Sequence, residues 1–200
     1  MNCQKKNLII ACGALAKEIK TLIKNNDWNI FEIICLPAIF HNSPERIVPQ
    51  IKNKIHGAKK SKKFNNIIVA YGDCGTGGDL DKLLKAEGIN RIKGNHCYEL
   101  YAGLNGFEDL TNQEIGTFYL TDYLVRFFDN LILDGLGINS NPKLRDLYFK
   151  NYHRLVYLAQ IKDPDLKCQA KKAAKTLGLS FTYKYTGYGT LKPFLNNHLT

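Results

Sequence analysis

Asn66-Ile67-Ile68-Val69-Ala70-Tyr71 runs directly into Gly72-Asp73-Cys74-Gly75-Thr76-Gly77-Gly78, and then into Asp79-Leu80 with Leu83 and Leu84 close behind. A β-branched apolar run, a turn holding four glycines, and apolar residues at helical spacing up to Gly88 predict strand, loop and amphipathic helix. The same phrase stands earlier in the chain. Asn7-Leu8-Ile9-Ile10-Ala11-Cys12 is closed by Gly13 and followed by Leu15, Ile19, Leu22 and Ile23 among lysines. Ile30 to Leu36 ends at Pro37, and Ser43-Pro44-Glu45 can start a helix carrying Ile47, Ile51 and Ile55 on one side. Downstream, Ile89 to Lys93 reads as a short fourth strand. Tyr119 to Leu133 reads as a long, unusually apolar central helix, with Thr117 as its N-cap and Asp122 paired to Arg126 one turn on. Leu155 to Ala159, a Lys/Ala helix from Lys167 to Leu177 and a strand from Leu179 to Tyr185 complete the chain.

Continuous apolar strands alternating with helices predict an α/β fold: an open, mainly parallel sheet with helices on both faces, Rossmann-like and three-layered. Two hundred residues, 44% of them hydrophobic, suffice for one sizeable core, so residues 1–200 are expected to form a single domain. No apolar window is long enough to span a membrane, and the start lacks the pattern of a signal peptide, which predicts a cytoplasmic protein with no membrane partner. Of the 28 basic residues behind the net charge of +10, only five are arginine. A nucleic-acid surface favours arginine forks and stacked aromatics, so nucleic acid is not expected as a partner, and the run Lys59-Lys60-Ser61-Lys62-Lys63 reads as a solvated connection.

Six cysteines are too few for a disulfide scaffold, and their positions are informative. Cys12 ends the first strand, Cys74 lies in the loop after the third, and His96-Cys97 follows the fourth. In an open parallel sheet these ends share one edge, where ligands bind. His41 and Asn42 follow the second strand, and Gln160, a polar anchor for a bound group, follows the fifth on the same expected edge. Thiolates and imidazole from separate loops suit zinc or iron, and the preferred ligand set is Cys12, Cys74 and Cys97, with His41 or His96 as fourth ligand or general acid/base. Glu99 and Asp73 are the nearest carboxylates and complete the candidate catalytic set. The glycine loop, Gly75 to Gly78 with Thr76, could bring backbone N–H groups to an anion at a helix N-terminus, although it is neither a P-loop nor a dinucleotide fingerprint. Against the metal stands the ordinary role of free cysteine as a small buried hydrophobe, since no pair has C-x-x-C spacing. Cys35, inside Ile33-Ile34-Cys35-Leu36, is read in that way, and Cys3 and Cys168 are assigned no role.

Six separated motifs, taken together, carry a resemblance. They are Cys12-Gly13-Ala14-Leu15; Leu36-Pro37-Ala38 with His41-Asn42-Ser43-Pro44-Glu45-Arg46-Ile47; Tyr71 to Gly78; His96-Cys97-Tyr98-Glu99; Gly116 to Asp122; and Tyr157-Leu158-Ala159-Gln160. Over nearly its whole length the chain resembles the bacterial and archaeal family named domain of unknown function 1638. The resemblance marks Cys12, His41, Glu45, Cys74, His96, Cys97, Glu99, Asp122 and Gln160. Members stand near genes for corrinoid- or folate-dependent methyl transfer, which implies one-carbon or methylamine metabolism by association.

The leading expectation is a metal-dependent lyase, hydrolase or methyl-transfer enzyme that holds zinc or iron and acts on a small polar substrate. One alternative is an accessory protein that binds a corrinoid, a metal or a methyltransferase partner without turnover. Another is a thiol enzyme with Cys74 as nucleophile.

Overall fold

The computed structural model describes residues 5–199, so Cys3 lies outside it. Strand β1 (Lys6–Cys12) leads to helix α1 (Ala16–Asn25), β2 (Phe31–Leu36) to α2 (Ile47–Ser61), and β3 (Phe64–Ala70) through the glycine loop to α3 (Asp79–Glu87). β4 (Asn90–Arg91) is followed by α4 (Cys97–Ala102) and α5 (Leu104–Gln113). Then come β5 (Thr117–Thr121), α6 (Asp122–Arg126), a π-helical turn at Asp129–Asp134, α7 (Lys143–Phe149), β6 (Arg154–Ala159), α8 (Pro164–Leu177), β7 (Ser180–Tyr185) and α9 (Leu191–Asn196). Among the described residues no helix is long and apolar enough to cross a membrane.

The fold is α/β with parallel sheets and flanking helices, as the strand and helix alternation predicts. The strands, however, form two sheets in two compact units. One unit takes the chain up to Leu100 and again from Thr190, and the other takes Tyr101–Gly189. In the first unit the order is β2-β1-β3-β4, all pairs parallel. Alternation along β1 sends Leu8 and Ile10 into a core with Ile47, Ile51 and Ile55 of α2 and Leu80 and Leu84 of α3. Ile9 and Ala11, on the opposite face, are also fully buried. Asn7 lies on that face and donates through Nδ2 to the His198 carbonyl at 2.8 Å, which ties the segment after α9 to it.

The second unit has the order β5-β6-β7, again parallel. Its core joins Leu120, Leu155, Tyr157 and Ala159 to Leu166, Ala170, Ala174 and Leu177 of α8. That helix is closed at both ends by local chemistry. Asp163 accepts from the N–H groups of Asp165 and Leu166, Pro164 opens the first turn, and Gly178 ends it at φ +74°.

Several expectations are corrected. The segment expected as one helix from Tyr119 begins as strand β5, and the helical part starts only at Asp122, running to Arg126 and, past a break at Phe127, as the π-helical turn to Asp134. Its N-cap is Thr121, whose Oγ1 accepts from Leu124 N, and Thr117 is a strand residue instead. An aromatic and β-branched stretch such as Thr117-Phe118-Tyr119-Leu120-Thr121 satisfies either period when short, and pairing with β6 decides it. Asp122 is bonded to Tyr157, Gln160 and Ile161 rather than to Arg126. The fourth strand is shorter than expected. Cys35 is exposed, because β2 is an edge strand and the core face takes Leu36. In the lysine run, Lys59 pairs with Glu87 at 2.7 Å and Lys63 with Glu32 at 2.8 Å.

Candidate functional site

In the first sheet the chain leaves β1 toward β2 on one side and β3 toward β4 on the other, so the order reverses between β1 and β3. Such a switch point opens a crevice beyond the carboxyl ends of the two strands. Register pairs Ala11 with Ala70, so the next residues, Cys12 and Tyr71, stand side by side at that crevice. Both extend the face that carries Leu8, Ile10 and Val69 into the core, where Tyr71 is only 1% exposed.

Cys74 reaches the same place through the glycine loop. Its φ of +50° is left-handed, a conformation that favours glycine, and two backbone bonds hold it there. Asp73 N donates to Gly94 O at 3.0 Å and Cys74 N to Asn95 O at 2.7 Å, which zips the loop to the segment before α4. Gly72 allows this approach, since a Cβ there would lie 3.2 Å from Asn95 O and 3.3 Å from His96 Cα. Arg91 braces the junction: it donates to both Asp81 oxygens and, through Nη1, to the carbonyls of Ile92 and Gly94. Cys97 then opens α4 beside Cys74.

Cys12 is thus brought close enough to disfavour ionisation of Cys74, and both of them to disfavour that of Cys97. Burial comes first in each case: it pushes Cys12 up despite the N–H of Ala14 and the Tyr71 hydroxyl, and Cys97 well above the ordinary thiol range, with Cys74 and Cys12 adding to it. Burial, Cys12 and Asp73 push the Cys74 thiol up to about 12. Burial, and then Cys12, also raise the Tyr71 phenol, so its hydroxyl keeps its proton. That hydroxyl is sealed from solvent and lies against the Cys12 sulfur.

His41 and His96 stand with ring centroids 6.4 Å apart, edge to face. His41 is exposed overall, yet packing over part of the ring and then His96 lower its pKa. His96 Nδ1 is buried with no hydrogen-bond partner. The two candidate carboxylates are engaged in holding loops. Asp73 accepts from Thr76 Oγ1 at 2.6 Å, Gly78 N at 2.9 Å and Gly77 N at 3.1 Å, and Glu99 accepts from Asn95 N at 2.9 Å. The N–H groups of Gly77 and Gly78, expected to face a bound anion, are therefore turned to Asp73. Gly75, at φ +85°, lies against Pro44, which begins the turn into α2. Gln160 belongs to the second sheet, where it exchanges hydrogen bonds with Asp122: Asp122 N donates to Oε1 at 2.7 Å and Gln160 N to Asp122 Oδ1 at 2.9 Å. Among the described residues no three His, Cys, Asp or Glu side chains surround a common point at metal-ligand spacing. Tyr71 and Arg91 were not among the residues singled out from sequence. Tyr71 was findable as the last residue of a strand before a glycine turn, whereas Arg91 acts through loop carbonyls that leave no trace in composition.

A family profile described as "Protein of unknown function (DUF1638)" matches residues 35–195. The chain belongs to the DUF1638 family. The match contains His41, Cys74, His96 and Cys97, while Cys12 precedes it. No curated protein and no solved structure matches this DUF1638 chain.

Proposed function

We propose that this DUF1638 protein is a metal-dependent enzyme that holds zinc or iron at the switch point of its first sheet. Its ligands are Cys12, Cys74 and Cys97, and His41 or His96 supplies a fourth ligand or an acid/base. The observation that carries this is the approach of three cysteines from three separate segments to the same end of the sheet, beside the buried Tyr71 phenol. The donor chemistry fits: soft sulfur and borderline imidazole suit zinc or iron, and three protein ligands leave a position for substrate or water. Side-chain rotation is required, because the sulfurs do not yet share a centre.

When bound, the metal supplies Lewis acidity that polarises a carbonyl or activates a thiol or water. The chain's own residues do the remainder. The backbone bonds from Asp73 and Cys74 to the Gly94–Asn95 segment hold two of the sulfurs near each other, burial excludes water from them, and His41 or His96 takes up or delivers a proton at the rim. The substrate is a small polar molecule, and the family resemblance directs it toward one-carbon or methylamine chemistry, with a corrinoid or methyltransferase partner. A thiol mechanism at Cys74 is disfavoured by burial, which keeps that thiol protonated.

The test is elemental analysis of protein purified without oxygen, beside Cys74→Ser. About one equivalent of zinc or iron in the parent, lost in the variant, is expected of a three-thiolate site. Parent protein without stoichiometric metal overturns the proposal.

A further inference from the structure

Helix α8 exposes four lysines, Lys167, Lys171, Lys172 and Lys175, while its one carboxylate, Asp165, stands in the first turn. Lys167, Lys171 and Lys175 follow one another at four-residue spacing, which makes a row of cations about 6 Å apart along the helix axis. Like charges so placed repel and weaken a helix. Among the described residues none of the four is paired with a carboxylate, whereas Lys59, Lys63 and Lys82 are. Beside the row lies a groove of about 590 Å³, lined by Leu179, Phe181 and Cys168 together with Lys171, Lys172 and Lys175. Leu179 is buried and Phe181 half-buried, so the apolar part of the groove is recessed below the ammonium groups.

We infer that this face of α8 docks an acidic amphipathic helix of a partner protein, with carboxylates opposite Lys167, Lys171 and Lys175 and an aliphatic side chain in the groove. Charge complementarity chooses the occupant: a helix with acidic residues every fourth position repeats at the same step as the lysine row, and its apolar stripe fills the recess beside it. A bilayer fits less well, because membrane-surface helices present protruding apolar residues and those of this face are sunk. Nucleic acid fits less well too, since α8 carries no arginine and a sugar–phosphate backbone brings no aliphatic side chain to the groove. The surface lies wholly in the second unit and does not rest on the metal reading.

The probe is a fluorescein-labelled synthetic helix with glutamates every fourth position and leucines on the adjoining stripe, titrated with the full chain and followed by anisotropy. Binding is expected, weakening as salt is added. The double variant Lys171→Glu, Lys175→Glu, whose far-UV circular dichroism should match the parent's, is expected to lose about 10-fold or more in affinity. A peptide with serine for leucine should bind the parent about 10-fold more weakly. Cys168→Trp, which fills the groove from an exposed helix position, should weaken the leucine peptide and leave the serine peptide unaffected. No binding by the parent, binding that survives the charge reversal, or equal affinity for the two peptides overturns the inference. Tighter binding of phosphatidylserine vesicles or of a single-stranded oligonucleotide, removed by the same double variant, gives the face to a membrane or a nucleic acid and overturns it as well.

Discussion

Cys74 combines a left-handed backbone, costing roughly 1 kcal/mol or more for a residue with a Cβ, with a place in the core. The conformation persists because both ends of the loop are tied, by the backbone bonds to Gly94 and Asn95 and by the Asp73 carboxylate. Gly72→Ala should therefore separate the two segments, since the atoms a new Cβ meets are backbone and cannot swing aside. A loss of about 1–3 kcal/mol in urea denaturation is expected, with reduced metal uptake. Asp73→Asn removes one of the two accepting oxygens and should cost about 1–2 kcal/mol at pH 7. Burial acts to raise the Asp73 pKa, but the bonds from Thr76, Gly78 and Gly77 outweigh it and hold the carboxyl below its ordinary value. The stabilisation is then complete above the ordinary carboxylate pKa and is lost as pH falls through the lowered one. Denaturation midpoints of parent and variant should converge on acidification below about pH 4; a gap that stays constant to pH 2 would refute the assignment.

At the level of elements, α2 packs through Ile47, Ile51, Ile55 and Ala58, one face at helical spacing. Ile51 is fully buried, and Ile51→Ala should cost about 2–5 kcal/mol, measured by denaturation. In the second sheet Asp122 joins the ends of β5 and β6, accepting from Tyr157 Oη at 2.7 Å, Gln160 N at 2.9 Å and Ile161 N at 3.2 Å. Asp122→Ala strands all three donors and should cost roughly 3 kcal/mol or more, whereas Tyr157→Phe removes one donor and should cost about 1 kcal/mol. The spacing of Ile47, Ile51 and Ile55 was legible in the sequence because helical burial repeats locally. The strand character of Thr117–Thr121 was not, since five residues do not separate the two periods and a strand is defined by its partner.

For the molecule as a whole, two separate cores matter most: Ile51 belongs to one and Asp122 stands at the edge of the other. Ile51→Ala should speed hydrogen exchange of the β1 and β3 amides while those of β6 keep the parental rate, as expected of independently opening units. Uniform acceleration across both sheets would argue for one cooperative core. The sequence by itself determined the α/β class, the parallel strands and the placing of Cys12 at the end of the first strand and of Cys74 and Cys97 after the third and fourth. Each of these follows from the alternation of apolar residues and the position of glycines along the chain. Only the tertiary structure decided that the strands separate into two sheets, that Gln160 belongs to the second, that Asp73 fills its own glycine loop and that Tyr71 stands beside Cys12. Those are matters of which strand pairs with which, and in what register, and pairing between distant segments is set by the packing of the whole unit rather than by any local pattern.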